Sequence, residues 1–191
     1  MDLVTLLLCG GASRRFGGGK LLADHGGRPL VAGAAGAALA SGGRVLAIVP
    51  PDAASLVAAL RELGCETFAT DRCARGLGGS LAAGVEAAAG ADGWIVMLGD
   101  MPAIRAETVS QVKRALQDGA AIAVPVDAAG RRGHPVGFAA SMRAELLALD
   151  ADVGARDVLA RHARDVHAVV TDDPGIFVDV DTPTDLARIR R

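Results

Sequence analysis

Apolar residues fall in short dense runs separated by stretches that carry helix-forming residues. Residues 3–8 (LVTLLL), 44–49 (RVLAIV), 65–69 (CETFA), 93–98 (GWIVML) and 120–125 (AAIAVP) read as strands. Their nearly continuous apolar character is what strands covered on both faces require. Between them, 29–41, 52–63, 80–89 and 105–117 read as helices. Pro29 suits a first helical turn, and Gly42-Gly43 and Gly64 suit C-terminal stops. This alternation predicts βαβ units and a mostly parallel sheet with helices on both faces. Past Pro125 the rhythm changes. Residues 127–130 read as a turn and 135–139 as a short strand, a pair that predicts an antiparallel edge. Segments 145–149 and 155–162 read as helices, 166–171 as a strand and 172–175 as a turn. Residues 182–190 close the chain as a helix with Thr182 at its N-cap and Pro183 in its first turn. The expected fold class is α/β: one three-layer α/β/α domain over 1–191, Rossmann-like, with a mostly parallel sheet and an antiparallel edge.

Composition narrows the function classes. The 191 residues suit one domain. With 20 basic and 22 acidic residues the net charge is −2, which argues against nucleic acid as a partner, because such domains carry a clustered basic excess. No stretch supplies the roughly 20 apolar residues of a membrane span, so no membrane partner is expected. Residues 1–9 are apolar but short and lack a basic start, so they read as a first strand rather than a signal peptide. Cys9, Cys65 and Cys73 are odd in number and lack metal-ligand spacing, which fits a reducing cytoplasm. Among the 20 basic residues only Lys20 and Lys113 are lysines. A lysine kept inside a glycine-rich loop invites a chemical reading.

That loop, Leu8-Cys9-Gly10-Gly11-Ala12-Ser13-Arg14-Arg15-Phe16-Gly17-Gly18-Gly19-Lys20, follows the first strand directly. Ligands in open α/β sheets bind beyond the carboxyl ends of strands. Glycines let the backbone approach a ligand and aim N–H groups at it. Arg15 and Lys20 add cations, so the loop reads as a triphosphate cradle. It is not a Walker A loop, since Lys20 precedes Leu21, nor a dinucleotide fingerprint, since Gly10 and Gly11 are adjacent. A solvated surface loop is the competing reading. Asp100 ends the strand at 93–98 on the same sheet edge and is placed to hold Mg²⁺, an ion that takes oxygen ligands and shares them with substrate phosphates. Capping of the next turn is its bland alternative. Asp179 and Asp181 are spaced to share one strand face, and Asp181 also precedes the last helix, which it could merely cap.

These segments resemble the molybdenum cofactor nucleotidyltransferases, a branch of the wider nucleotidyltransferase superfamily. Leu8 to Lys20 is similar to the signature LAxGxSxRMGxxK, with Cys9 for Ala and Phe16 for Met; Gly10, Ser13, Arg15, Gly17 and Lys20 stand in register. Leu98-Gly99-Asp100-Met101-Pro102 resembles LxDMP, and Asp179 to Leu186 resembles D-[IV]-D-T-P-x-D-L. Arg75 to Leu81 resembles GLSxSLxxG with Gly78 for Ser. Arg131 to Val136 and Asp152 to Arg156 resemble GRRGHPV and GDxGAR of the cytidylyltransferase-like branch, with Ala151 for the first Gly of the latter. The resemblance runs from Leu8 to Leu186.

The resemblance implies an Mg²⁺-dependent enzyme that moves CMP or GMP from CTP or GTP onto the terminal phosphate of molybdopterin bearing molybdenum. Arg15, Lys20 and Asp100 would be catalytic. Cys9, Gly10, Gly11, Ser13, Arg15, Lys20, Gly78, Gly79, Ser80 and Asp100 would bind nucleotide. Asp100 and Asp181, or Asp179 in place of Asp181, would hold Mg²⁺, and Arg132, His134 and Arg156 would grip the acceptor phosphate. Gly10-Gly11 leans toward the guanylyl branch and the later motifs toward the cytidylyl branch, so the base stays open. The implied partners are the NTP, the acceptor and, transiently, a molybdenum hydroxylase or its chaperone. Two alternatives stand beside this reading: a transferase for another phosphorylated small molecule, and a non-catalytic nucleotide-binding chaperone of a molybdenum hydroxylase.

Overall fold

The computed structural model describes every residue except 12, 14, 151–153, 190 and 191. Ala12 and Arg14 of the glycine-rich loop, and Asp152-Val153 of the GDxGAR-like segment, therefore lie outside the described residues.

Seven strands form the main sheet: β1 (Leu3–Leu8), β4 (Arg44–Val49), β5 (Glu66–Ala69), β6 (Gly93–Leu98), β7 (Ile122–Val126), β8 (Val136–Ala139) and β9 (Val166–Val170). Their order is β5-β4-β1-β6-β8-β7-β9. The first four run parallel, β8 runs antiparallel to both β6 and β7, and β9 is parallel to β7. The sheet is mostly parallel, as expected. Its antiparallel member is not at the edge, however. It is inserted between β6 and β7, and the edges are β5 and β9. Val136, Gly137 and Phe138 of β8 are buried, Phe138 fully, so this strand needs cover on both sides.

Alternation along the strands sorts the core into two layers. Leu3, Leu7, Val45, Ala47, Val49, Ile95 and Met97 face α1 (Val31–Ala40), α2 (Ala54–Glu62) and α4 (Ala106–Gln117). Val4, Leu6, Leu8, Leu46, Ile48, Trp94 and Val96 face α3 (Leu77–Ala87), α5 (Arg143–Leu147) and α6 (Arg156–Arg161). α7 (Pro183–Ile189) joins a third, smaller cluster of Leu30, Val180 and Leu186, against which Phe16 packs. Among the described residues no helix is long and apolar enough to cross a membrane.

Two element starts differ from expectation. Pro29 is not in the first turn of α1: it pairs with Asp24 in a two-residue hairpin, β2 (Asp24–His25) and β3 (Arg28–Pro29), turned by Gly26 and Gly27 at positive φ. The Gly-Gly turn draws Pro29 into the hairpin, so the helix begins after Leu30. α3 starts at Leu77 rather than residue 80, because Gly76, at φ 88, makes the turn. Gly78 and Gly79 thus lie within the helix. At the chain's end the predicted cap is observed: Thr182 Oγ1 accepts from Asp185 N at 3.2 Å, while Asp185 Oδ2 accepts from Thr182 N at 2.9 Å. This reciprocal box fixes the entry to α7.

Candidate active site

The site lies beyond the carboxyl ends of β1, β4, β5 and β6, around an open cleft of about 1150 Å³. Gly10, Gly11, Ser13, Arg15 and Lys20 form one wall, and Asp100, Asp181 and Ser80 complete it. Close packing fixes the base of the loop. A Cβ on Gly10 would sit 2.6 Å from Ser80 Oγ and 2.8 Å from Cys73 Sγ, so only glycine lets the backbone rest on α3 there. Further on, Gly17, Gly18 and Gly19 take φ of 88, 97 and 62, a left-handed run open to glycine at low cost. It delivers Lys20 into a short 3-10 turn with its side chain pointed inward.

Lys20 is 7% exposed. Its Nζ donates to Asp100 Oδ2 at 2.7 Å and to Asp181 Oδ1 at 3.3 Å. The exposed Arg15 reaches the other oxygen, NH1 to Asp181 Oδ2 at 2.6 Å. Two carboxylates from distant parts of the chain are thus drawn around one ammonium. A backbone bond aligns them: Val180 N donates to the Asp100 carbonyl at 3.0 Å. Val180 is buried, and Asp181 follows it toward the cleft while Asp179 is exposed. Of the two candidates the sequence left open, Asp181 is the one joined to Lys20 and Asp100.

The donor set fits a hard divalent cation. Asp100 Oδ1 is buried with no hydrogen-bond partner, a second oxygen already faces a cation, and Asp181 adds more oxygen. Among the described residues no group of three or more His, Cys, Asp or Glu could hold a metal. Asp100 and Asp181 are the two carboxylates that could offer oxygen to such an ion here. Mg²⁺ commonly keeps several waters and takes one or two carboxylates plus substrate phosphates.

The remaining sequence candidates divide. His134 is not on the cleft wall, but it lies close enough to feel the charges of Asp100 and Asp179. Its Nδ1 is buried without a partner, and burial pushes its imidazolium below the ordinary range, opposed by the charge of Asp100, the Val96 backbone and the charge of Asp179. Arg132 and Arg156 do not line the cleft: both are exposed, Arg156 at the start of α6. Cys9, Gly78 and Gly79 are likewise off the cleft wall. Cys9 is buried beneath the loop, and burial pushes its thiol well up, helped by Cys65, Asp100 and Cys73, so it offers no thiolate at neutral pH. Gly79 packs on the preceding turn, where a Cβ would lie 2.5 Å from the Arg72 carbonyl. Pro50, Pro51, Asp52, Asp71 and Arg75 also line the cleft and were not among the sequence candidates. The signal for them was available: they follow β4 and β5 at the same carboxyl edge that drew attention to the first loop.

The same architecture recurs in solved structures. Rv0371c from Mycobacterium tuberculosis H37Rv superposes with TM-score 0.87 at 24% identity, covering 99% of this chain and 97% of that one. Its complex with manganese gives 0.83 at 22%, covering 99% and 98%. A nucleotidyl transferase from Methanothermobacter thermautotroptrophicus gives 0.83 at 23%, covering 99% and 96%. These likenesses define the fold. A comparison with curated proteins gave no match. The family model described as MobA-like NTP transferase domain matches residues 5–166, and the chain belongs to that family of nucleotidyltransferases.

Proposed function

We propose that the protein transfers CMP or GMP from CTP or GTP to the terminal phosphate of molybdopterin bearing molybdenum, with Mg²⁺ as cofactor. The observation that carries this reading is the meeting of Lys20, Arg15, Asp100 and Asp181 at the mouth of a glycine-walled cleft. An oxygen of the acceptor phosphate attacks the α-phosphorus, the α–β P–O bond breaks, and pyrophosphate leaves. The chain's work is positioning and charge neutralisation. Backbone N–H groups of the first loop and Ser80 hold the nucleotide, and Lys20 and Arg15 stabilise charge on the departing pyrophosphate. Asp100 and Asp181 would hold Mg²⁺, and a structural neighbour solved in complex with manganese supports a divalent cation as cofactor. When bound, the ion neutralises and orients phosphate oxygens.

His134, beside Asp100, and Arg132 and Arg156 form the acceptor-binding group in this reading. Molybdopterin is favoured by the resemblance of the chain's motifs to the molybdenum cofactor nucleotidyltransferases, the GRRGHPV-like turn at Arg131 to Val136 among them. The buried, unpaired Cys9, Cys65 and Cys73 fit work in a reducing cytoplasm.

The test is pyrophosphate release by the purified full chain with Mg²⁺, each of the four NTPs, and molybdenum-bearing molybdopterin or a panel of sugar and alcohol phosphates. Release with molybdopterin and one of CTP or GTP is expected. Release only with a sugar phosphate moves the acceptor to that class. Tight NTP binding without release from any acceptor overturns the enzyme reading in favour of a chaperone.

A further inference from the structure

Lys20 stands on the oxygens that a divalent cation would use. Its ammonium bridges Asp100 Oδ2 and Asp181 Oδ1, and Arg15 takes the remaining Asp181 oxygen. A magnesium-type ion must approach its ligand oxygens to about 2.0–2.1 Å. It cannot do so from both carboxylates while an ammonium sits between them, since two cations would then be in contact. The Lys20 side chain is 8% exposed, so it has little water to retreat into. Expelled by the metal alone, it would become a buried cation without a counter-ion, a costly state. A triphosphate supplies the missing anion. Lysine's long flexible stem lets the ammonium turn from the carboxylates to phosphate oxygens without moving the backbone.

We infer that Lys20 is an internal surrogate cation that keeps the Asp100–Asp181 site closed to metal until a nucleotide triphosphate draws it away. Resting on the reading that these two carboxylates are the metal ligands, this makes metal and nucleotide binding positively coupled, and the coupling is reciprocal. Arg15 is the weaker half of the lock, because its exposed side chain has water to return to. The buried Asp100 Oδ1 is the one carboxylate oxygen of the pair that no cation covers, so what Lys20 and Arg15 withhold is Asp100 Oδ2 and both oxygens of Asp181. The device suppresses metal loading without substrate and so disfavours a charged site open to water.

The test is Mn²⁺ binding to the nucleotide-free protein, followed by electron paramagnetic resonance of free Mn²⁺. The wild type should bind weakly. Lys20→Met and Lys20→Gln should each bind at least about tenfold tighter, the equivalent of about 1.4 kcal/mol, and added Mn²⁺ should raise their Tm while leaving the wild type's unchanged. Lys20→Gln keeps hydrogen bonds to the carboxylates, so it guards against a fold lost through two unpaired acids. Adding Asp100→Asn to either variant should abolish the gain. Equal or weaker Mn²⁺ affinity in both variants, with wild-type circular dichroism, overturns the lock while leaving the metal assignment standing. Absence of Mn²⁺ binding to every form, even with a non-hydrolysable nucleotide, overturns lock and metal assignment together. The transferase assay is independent of all these readouts.

Discussion

Both lysines of this chain are buried, and they solve different problems. Lys113 reaches from α4 to the C-terminal end of α1, where Nζ donates to Ser41 Oγ at 2.8 Å and also to the Gly42 carbonyl at close range. It satisfies helix-end acceptors, and burial pushes its ammonium below the ordinary lysine range. Lys20 instead pairs with carboxylates. The same division separates two acids. Asp173 is 3% exposed and fully used: Oδ2 accepts from Thr108 Oγ1 at 2.7 Å and from Arg105 N at 2.9 Å, and Oδ1 from Gly175 N at 2.8 Å. Asp100 keeps a buried oxygen unpartnered. A fully satisfied buried group is structural, and a group held with spare capacity is available for chemistry. Asp173→Asn should therefore lower stability by about 1–3 kcal/mol, because an amide NH₂ replaces one needed acceptor. Asp100→Asn should abolish nucleotidyl transfer while shifting Tm far less. Thermal melts and pyrophosphate assays on both variants check the contrast, and a collapse of the Asp100 variant would return that residue to a capping role.

At the scale of elements, β1, β4 and β6 of the parallel half were legible because they are buried on both faces and read as nearly unbroken apolar runs, whereas β5, at the edge, is largely exposed. β1 and β6 were placed to the residue. The position of β8 was not legible. Its four residues are as apolar as those of any interior strand, and an apolar run carries no information about which neighbour it pairs with. The start of α3 was missed for a related reason. Gly78 and Gly79 read as loop, yet tight packing of Gly79 on Arg72 and Arg75 makes glycine a requirement of that helix. Polar ties between short elements were also invisible. His162, ending α6, contacts Glu145 of α5 through Nε2 and Asp165 through Nδ1 at 3.2 Å. Glu145 and Asp165 on the two ring nitrogens hold its imidazolium above the ordinary histidine range. A pKa raised by folding gives stabilisation that is complete below the unfolded value of about 6.5 and is lost as pH rises through the folded value. The Tm difference between wild type and His162→Gln should thus be largest at acid pH and shrink on the alkaline side. An NMR titration should place the His162 midpoint above the ordinary histidine value of about 6.5. A difference that grows with pH would contradict the tie.

Across the whole molecule, the question is what keeps Asp100 and Asp181 in register when about 80 residues of chain separate them. The motifs showed both acids without showing the device that joins them, because it is built from glycines and backbone. The segment from Asp100 to Ile104 is gripped from two sides. On one, Gly33 of α1 lies so close that a Cβ would fall 2.4 Å from the Pro102 carbonyl. On the other, Gly175 lies in the turn before the Asp181 segment, and a Cβ there would fall 2.1 Å from the Ala103 carbonyl. Both obstacles are backbone atoms, which cannot rotate away as a flexible side chain can. The Val180 to Asp100 hydrogen bond then transmits any shift of the turn directly to the acidic pair. Gly33→Ala and Gly175→Ala should each cost about 1–3 kcal/mol, as overpacking does, and should lower transfer more than the loss of folded protein explains. Gly36 is the internal control. It occupies the same helix as Gly33, a Cβ there would meet nothing within 4 Å, and its φ is not positive. Gly36→Ala should leave transfer intact and raise stability by about 0.4–1 kcal/mol. Melts and steady-state rates on the three variants decide the matter: equal rates per folded molecule in all three would show that the clamp serves the fold alone, whereas rate loss confined to positions 33 and 175 would show that close backbone contact sets the spacing of the two carboxylates.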